Sequence, residues 1–308
     1  MFILKNLKIL IMASLLVTGV GSVAATEPQE NIHDQIERDI LSLIPKNHFF
    51  PAAGIKSFLK GYSEADLELI YADFFELKES VFKNAEKSPQ FLVTAGAPCA
   101  GKSTLLERIL EKSKVKYAYT DPDRVCLFHM TRTYVDDLQN QRRNASEAYE
   151  HWRGASNFIS NTLMAFGLSQ GYAMALGSTM TSPKSYLAFQ GARGYGYSIH
   201  IIHVSCPDSI RADSENKRRG GNVVQCTDED FAAKGNMFYQ RLGDYLTHAD
   251  IMDLYYRGEM DTYILAGTRK GNDFHVFDGS AFLNIIRLHD EAQGEEDWQK
   301  QWETASAK

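Results

Sequence analysis

The sequence has little cysteine and no excess of positive charge, and each shortage excludes a class of protein. Among its 308 residues there are four cysteines, Cys99, Cys126, Cys206 and Cys226, and no C-x-x-C pair occurs. Thiols so few and so widely spaced argue against a disulfide scaffold and against a zinc site. The formal net charge of -6 provides no general basic field, so composition gives no support for a nucleic-acid partner.

Long apolar runs are also missing after the first 25 residues, so we expect no membrane span in the mature chain. Lys5 and Lys8 precede an apolar run at residues 9–20, and small residues typical of a cleavage site follow at 23–25. The run is shorter than the roughly 20 residues that cross a bilayer. We therefore predict a signal peptide at residues 1–25 and an exported chain, periplasmic or secreted, in preference to an uncleaved anchor.

The remaining sequence alternates helical and extended segments without an internal repeat or a low-complexity linker. Residues 26–88 have helical character, residues 89–290 alternate between strands and helices, and residues 291–308 form a polar tail. Such alternation predicts an α/β fold with a mainly parallel sheet and helices on both faces. We expect the helices of residues 26–88 to pack against this domain as an appendage, and a β-hairpin plus a helix to close it.

The most informative stretch is residues 90–104, QFLVTAGAPCAGKST, in which a predicted buried strand leads into a glycine-bounded loop. The loop fits G-x-x-x-x-G-K-[ST] at every fixed position. Loops of this kind turn backbone N–H groups around phosphate oxygens, and the helix that follows points its positive end at them. We predict binding of ATP, with GTP as the alternative, and of Mg²⁺. The predicted nucleotide-binding residues are Gly96, Ala97, Pro98, Cys99, Ala100, Gly101, Lys102, Ser103 and Thr104.

Two of these side chains have specific predicted roles, and a second candidate group follows the next strand. Lys102 would reach the β and γ phosphates, and Ser103 would bind Mg²⁺. Asp121 and Asp123 follow a strand predicted at residues 115–120, at the end where open α/β sheets bind ligands. Phosphoryl transfer needs a base for the acceptor hydroxyl and a carboxylate that positions Mg²⁺, and two aspartates can divide these roles. A structural interpretation, an Asp-Pro turn that caps the next helix, stays open.

Two further features have both a structural and a functional interpretation. The basic cluster at residues 217–219 ends a predicted helix, where it can complement the helix dipole or clamp phosphates. His200 and His203 lie in the apolar strand predicted at residues 198–204, and we predict that they are buried core residues with satisfied nitrogens, not metal ligands.

Residues 90 to about 258 resemble the zeta-toxin family of P-loop kinases. Members of that family phosphorylate a small hydroxyl-bearing substrate, UDP-N-acetylglucosamine in the best-known cases. The first similar segments are the loop GAPCAGKST at 96–104 and TDPDR at 120–124, which resembles the family's I-D-x-D. GSTMTSP at 177–183 resembles the family's segment that opens with E-G-T or E-T-T, and KRRGGNVV at 217–224 resembles its R-x-G-G-x-x-V segment. ADIMDLYYR at 249–257 resembles the A-D-x-x-x-x-Y-D of one subgroup.

The resemblance implies that Asp123 is the general base and that Arg218 meets the transferring phosphates, with Lys102 as the third catalytic residue. Asp121 and Ser103 would then be the metal ligands. Substrate contacts are predicted for Arg124, Ser178 and Thr179, which lie in the similar segments. The resemblance also implies a small-molecule acceptor and either a neutralising antitoxin or a host partner.

Two departures from the family pattern leave the acceptor open. The family's acceptor-binding glutamate falls at Ala175 or Leu176, and a lid arginine is missing, with only Lys234 downstream. A site without that carboxylate rejects the family's ligand or binds it differently. The alternatives are another phosphotransferase such as an antibiotic kinase, a degenerate nucleotide-binding module that acts by protein contact, and a hydrolytic switch.

Export and the use of ATP conflict, because ATP is scarce outside cells. We therefore expect an exported toxin or effector that acts in another cell's cytoplasm. The simplest interpretation of the four cysteines is that they are small buried residues. A disulfide that uses Cys99 of the loop would instead hold the enzyme inactive during export.

Overall fold

A seven-stranded sheet runs through the part of the chain that this computed structural model describes, namely residues 31–45, 51–182, 185–220 and 226–293. The predicted signal peptide at residues 1–25 lies outside these ranges, and so do residues 294–308 of the predicted tail. Within the described ranges, no helix has both the length and the apolar character that crossing a membrane requires.

The strands are β1 Gln90–Gly96, β2 Ala118–Thr120, β3 Met174–Leu176, β4 Ser198–Ser205, β5 Ile251–Glu259, β6 Thr262–Lys270 and β7 Asp273–Val276. The α-helices are α1 Ile32–Gln35, α2 Ala52–Lys56, α3 Glu64–Phe82, α4 Lys102–Lys112, α5 Tyr134–Gln139, α6 Ala145–Ser169, α7 Tyr186–Gly194, α8 Asp208–Gly220, α9 Asp228–Gln240, α10 Leu242–His248 and α11 Gly279–Gln293. Shorter 3₁₀ or π turns occupy Ile36–Ile40, Leu41–Leu43, Ser57–Leu59, Pro122–Cys126 and Leu127–His129.

The strand order is β2-β3-β1-β4-β5-β6-β7, and the first five strands are parallel. Strands β6 and β7 continue the sheet in antiparallel fashion as the predicted hairpin. Helices flank this sheet, so the predicted α/β, mainly parallel, P-loop kinase-like fold is confirmed. Strand β1 lies between β3 and β4, so the chain builds the sheet outward on both sides of β1. The loop after β1 therefore opens where the strand order changes direction, the position at which such sheets bind ligands.

The N-terminal helices belong to the same hydrophobic core as the sheet. Helix α3 begins at Ser63, whose hydroxyl accepts from the Asp66 N–H while the Asp66 carboxylate accepts from the Ser63 N–H, a capping box. Its buried Phe74 packs near Phe158 of α6, with ring centroids 6.5 Å apart. Helix α6, with Trp152 also fully buried, thus connects the N-terminal segment to the sheet.

Several element boundaries differ from those predicted. The sequence pattern predicts one continuous helix at residues 228–247, but the structure interrupts it at Arg241, which caps α10 with a non-helical ψ of 4°. The pattern also predicts a strand at residues 172–176 beside that at 115–120. The structure shortens the two strands to β3 and β2, which pair with each other over only three residues. The helix after β3 is predicted to begin at Pro183, which lies outside the described residues.

The two histidines of β4 differ in their surroundings. His200 Nε2 lies 2.8 Å from an oxygen of Asp253, as expected of a satisfied nitrogen. His203 is completely buried, and neither of its ring nitrogens has a hydrogen-bond partner in the described part of the chain, so the prediction of satisfied nitrogens is wrong there. Its ring instead packs on Phe238 and stacks on the buried His289. Burial lowers the pKa of His203 to about 3 and that of His289 well below its ordinary value.

This burial predicts an acid-sensitive fold. Between pH 7.5 and pH 5.5, protons bind His203 in the unfolded chain but not in the folded one, so falling pH favours unfolding. His203→Phe should make the loss of unfolding free energy over this range about 1.4 kcal/mol smaller. Urea unfolding at the two pH values measures the difference. His275→Phe, at an exposed position of β7, is the control, and an equal acid dependence in wild type and His203→Phe would contradict the assignment.

Candidate functional site

The loop between β1 and α4 is fixed from outside by side chains that bind its carbonyl oxygens. Arg211 Nε donates to Pro98 O at 2.9 Å, Arg257 Nη1 to Cys99 O at 3.0 Å, and Tyr263 Oη to Gly101 O at 2.9 Å. Both arginines are buried. Because these three carbonyl oxygens are engaged by other elements, they do not compete with the N–H groups that a loop of this kind offers to phosphate.

Gly101 is required at the last turn of this loop. Its φ of 85° lies in the left-handed region, and a Cβ would stand 2.2 Å from Tyr263 Oη. Helix α4 begins at the next residue, Lys102. Lys102 is buried and its Nζ donates to Ala97 O at 2.7 Å, across the mouth of the loop. Burial lowers the pKa of Lys102 to about 8. An anion in the loop would stabilise the charged form of this lysine.

Asp121 connects the loop to the end of β2. Its Oδ2 accepts from Ser103 Oγ at 3.0 Å, and its Oδ1 accepts from the N–H groups of Asp123 and Arg124, both at 2.9 Å. A Cβ at Gly177 would lie 2.1 Å from Oδ2, so a glycine is needed beside this carboxylate. The structural interpretation of the Asp-Pro turn is thus confirmed, since Oδ1 caps the following turn, while Oδ2 faces Ser103 of the loop. The hydroxyl and the carboxylate form a hard oxygen pair that suits Mg²⁺.

Asp123 borders the same cavity as Lys102, Ser103 and Asp121. It forms an ion pair with Arg153 of α6. Burial raises the pKa of Asp123 to about 6; Arg153, Arg218 and Lys234 favour its charged form, and Asp121 opposes it. A carboxylate with a pKa near 6 can accept a proton at neutral pH, which suits a general base.

These groups surround a cavity of about 700 Å³. Its charged lining consists of four cations, Lys102, Arg153, Arg218 and Lys234, and two carboxylates, Asp121 and Asp123. The cavity thus has a surplus of two positive charges in a chain whose net charge is -6. Such a site favours a polyanionic ligand such as a nucleoside triphosphate.

Two walls of the cavity were missed by the sequence interpretation. Helix α6 contributes Tyr149, Arg153, Asn157 and Asn161, four residues apart on one face. The recurrence of these side chains at every fourth position of the helix is the signal that could have found them. The other wall comes from residues 51–58, which the sequence assigned only to a packing appendage and which include Phe58 at the cavity.

The predicted substrate contacts divide into two groups. Ser178 and Thr179 border the cavity, and Thr94 Oγ1 of β1 donates to Ser178 O and accepts from its N–H. Arg124 does not border it; its guanidinium binds Glu107 of α4 at 2.7 Å and 3.0 Å. The positions of the missing family glutamate carry no carboxylate, since Ala175 is buried in the core and Leu176 presents an apolar wall.

The two arginines of the basic cluster at the end of α8 have different surroundings. Arg218 borders the cavity, and its Nη1 lies 3.5 Å from Cys99 Sγ of the loop. Arg219 instead pairs with Glu215 and Asp228. Lys234 of α9, the cation downstream of the missing lid arginine, borders the same cavity.

All four cysteines are free and buried, and two of them meet at the loop. The thiols of Cys99 and Cys226 both point at Glu215 Oε2, from 2.7 Å and 3.5 Å. The hydrogen bond with Cys226 and the charge of Arg218 hold the pKa of the Cys99 thiol below its ordinary value, although burial and Glu215 oppose this. Cys99 and Cys226, which are far apart in the sequence, thus lie beside one carboxylate oxygen.

Comparisons with known proteins agree with the fold and with the phosphate-binding loop. A family model described as an AAA domain (AAA_33) matches residues 91–236. No curated protein sequence matches the chain significantly. Fold and loop together define a P-loop nucleotide-binding domain.

Solved structures share the fold at low identity. The native AvrRxo1-ORF1:-ORF2 complex contains a chain with a TM-score of 0.58 and 11% identity, over 86% of this chain and 90% of that one. The same complex with ATP gives a TM-score of 0.56 and 12% identity, over 79% and 78% of the two chains. A chain of the PezAT toxin-antitoxin system of Streptococcus pneumoniae, at 12% identity over 77% and 98% of the chains, has a TM-score of 0.48, too low to support a conclusion.

The hydrogen bonds that other elements donate to the loop carbonyls lead to a testable prediction. Arg257→Met leaves Cys99 O without its charged donor, so the loop should lose order and the Kd for ATP should rise about tenfold, or about 1.4 kcal/mol. Calorimetric titration with a non-hydrolysable ATP analogue measures this.

Arg269→Met is the matched control, because Arg269 is also buried and also donates to one backbone carbonyl, that of Leu246, away from the loop. Both variants should unfold at lower temperature, but Arg269→Met should keep its affinity. Equal affinity losses in the two variants would show that the effect is general destabilisation.

Proposed function

We propose that the chain is an ATP-dependent kinase that transfers the γ-phosphoryl group to a hydroxyl of a small metabolite of the sugar-nucleotide kind. The observation that carries this proposal is the placement of Asp123 on the same cavity as Lys102 and the Ser103–Asp121 pair. A phosphate-binding loop alone would support hydrolysis or simple binding as well. A carboxylate with a raised pKa, separate from the one paired with Ser103, adds a candidate base for an acceptor alcohol.

On the donor side, the loop N–H groups and Lys102 bind the β and γ phosphates, and Arg218 offers its planar guanidinium to the charge that spreads over the transferring group. Ser103 and Asp121 are the residues that would hold Mg²⁺. When bound, this ion neutralises phosphate charge. The residues of the chain thereby orient the triphosphate toward Asp123.

On the acceptor side, Arg153 is the residue that has to move. It neutralises Asp123 in the ion pair described above, and a base must be free to accept a proton. An acceptor with its own phosphate gives Arg153 another partner, while Asn157 and Asn161 provide donors and acceptors for hydroxyl groups. This arrangement favours an acceptor that carries both hydroxyls and an anionic group, without the glutamate that the zeta-toxin resemblance would supply.

The biological setting is proposed by analogy. The AvrRxo1-ORF1:-ORF2 structures contain a second component, and one was solved with ATP. We propose a neutralising partner and ATP as the donor for this chain as well. The signal-peptide pattern of residues 1–25 supports an exported toxin or effector.

The pKa of Asp123 predicts the pH profile of the reaction. Because the base must be deprotonated, kcat/KM should fall about tenfold per pH unit below about 6 and be flat above pH 7. Initial rates with labelled ATP and a metabolite acceptor from pH 5 to pH 8 measure this. Asp123→Asn should retain ATP affinity and lose transfer by a factor of at least about 10². Unchanged turnover in Asp123→Asn would assign the base elsewhere, with Asp121 as the next candidate.

Lys102 provides the test of the donor site. Lys102→Ala should abolish transfer of label from ATP to any component of a metabolite pool, as followed by mass spectrometry for the gain of one phosphate. Lys112→Ala is the control, because Lys112 ends the same helix at an exposed position. Toxicity that persists in Lys102→Ala would instead favour a degenerate module that acts by protein contact.

A further inference from the structure

A cluster of three metal-binding side chains lies at the back of the P-loop, apart from the predicted Mg²⁺ ligands. The donor atoms of Cys99, Glu215 and Cys226 all lie within 4.8 Å of one another. Cys99 belongs to the loop, Glu215 to α8, and Cys226 stands just before α9. All three residues are buried, and this is the only such cluster among the residues the structure describes.

The separations within this cluster lie within about 1 Å of those that a bound metal ion requires. Zinc binds thiolate at about 2.3 Å and carboxylate at about 2.0–2.2 Å, so the donors of a tetrahedral site lie roughly 3.3–3.8 Å apart. Cys99 Sγ and Cys226 Sγ lie 2.7 Å and 3.5 Å from Glu215 Oε2. In the described structure the two thiols are directed at one carboxylate oxygen, as the ligands of a metal ion would be, but with thiol protons where the ion would lie. Shifts of about 1 Å would therefore complete the site.

The surroundings of the cluster meet the other requirements of a metal site. Arg219 Nε donates to Glu215 Oε1 at 2.8 Å and thereby fixes the carboxylate with its other oxygen toward the thiols. Cys99 and Cys226 both border the 700 Å³ cavity, which gives an ion an access route and leaves a fourth position for water. Two thiolates select a thiophilic ion over Mg²⁺, which prefers oxygen ligands.

We propose that Cys99, Glu215 and Cys226 bind a thiophilic divalent cation of the zinc class and that this ion holds the P-loop in an inhibited state. Binding releases the two thiol protons to solvent and forms two metal–sulfur bonds and one metal–oxygen bond. The ion fastens Cys99 to α8 and to the start of α9, so the loop loses the freedom to adjust around a triphosphate.

Inhibition also reaches the arginine of the cavity. Arg218 Nη1 lies 3.5 Å from Cys99 Sγ, so an ion that holds this sulfur also restrains the sulfur's contact with the guanidinium. The net charge of the cluster does not change, because the two released protons balance the charge of the ion. The inhibition rests on the proposed kinase function, whereas the binding of the ion does not.

Cobalt is the probe that tests binding directly, because thiolate ligation gives Co²⁺ a charge-transfer absorption. Titration of the reduced full chain with Co²⁺ should give one bound ion, with this absorption, that Zn²⁺ displaces. Cys99→Ser and Cys226→Ser should each weaken binding more than about tenfold, and Glu215→Gln provides a further variant with an intact loop sequence. Cys126→Ser and Cys206→Ser, at buried cysteines outside the cluster, should bind as wild type does. No absorption, or the same absorption in Cys99→Ser and Cys226→Ser, would overturn the site.

A second measurement tests inhibition. Zn²⁺ should lower ATP turnover of the wild type, and Cys226→Ser should retain a larger fraction of its own metal-free turnover. Equal inhibition of both proteins would overturn the regulatory part of the proposal. A chain that binds Co²⁺ as expected but transfers no phosphate would refute the proposed kinase and leave the metal site standing, so the two failures can be told apart.

Discussion

The site depends on the hydrogen bonds that hold the P-loop carbonyls outward. The loop has more carbonyl oxygens than N–H groups, because Pro98 has no N–H, and it offers its N–H groups to an anion only if those oxygens are engaged elsewhere. Arg211 from α8, Arg257 from β5 and Tyr263 from β6 fulfil this function from three different elements. The antiparallel end of the sheet, which lies far from any catalytic residue in sequence, is thus part of the phosphate site.

The two aspartates after β2 show how one short segment separates two chemical roles. Asp121 accepts hydrogen bonds from the Ser103 hydroxyl and from two backbone N–H groups, so both of its oxygens are held in place. Asp123 is paired with Arg153, and burial raises its pKa to about 6, so its protonation state can respond to a ligand. One carboxylate is thus fixed by its neighbours, and the other can change its protonation state near neutral pH.

The fold and the loop could be predicted because their signals are local. The spacing of the loop residues, with Gly101, Lys102 and Ser103 at its end, predicts a phosphate-binding loop. The alternation of strands and helices predicts a parallel sheet. Contacts between distant segments give no such signal. The meeting of Cys99 with Cys226 and that of Asp123 with Arg153 arise only when α8, α9 and α6 close over the sheet. The N-cap of Ser63 was predictable, whereas the unsatisfied nitrogens of His203 were not, because burial of a particular ring depends on tertiary packing.

The wall that residues 51–58 give to the cavity lies outside the part of the chain that carries the phosphate loop. This segment precedes the region that the AAA-domain model matches, yet it borders the same cavity as Asp123 and packs on α6, where a Cβ on Gly154 would lie 2.7 Å from Phe58 O. Changes in a few of its side chains would reshape the cavity without altering any residue of the loop. Chains with an unchanged loop could accordingly differ in the ligands that they accept, and resemblance in the loop is a poor guide to those ligands.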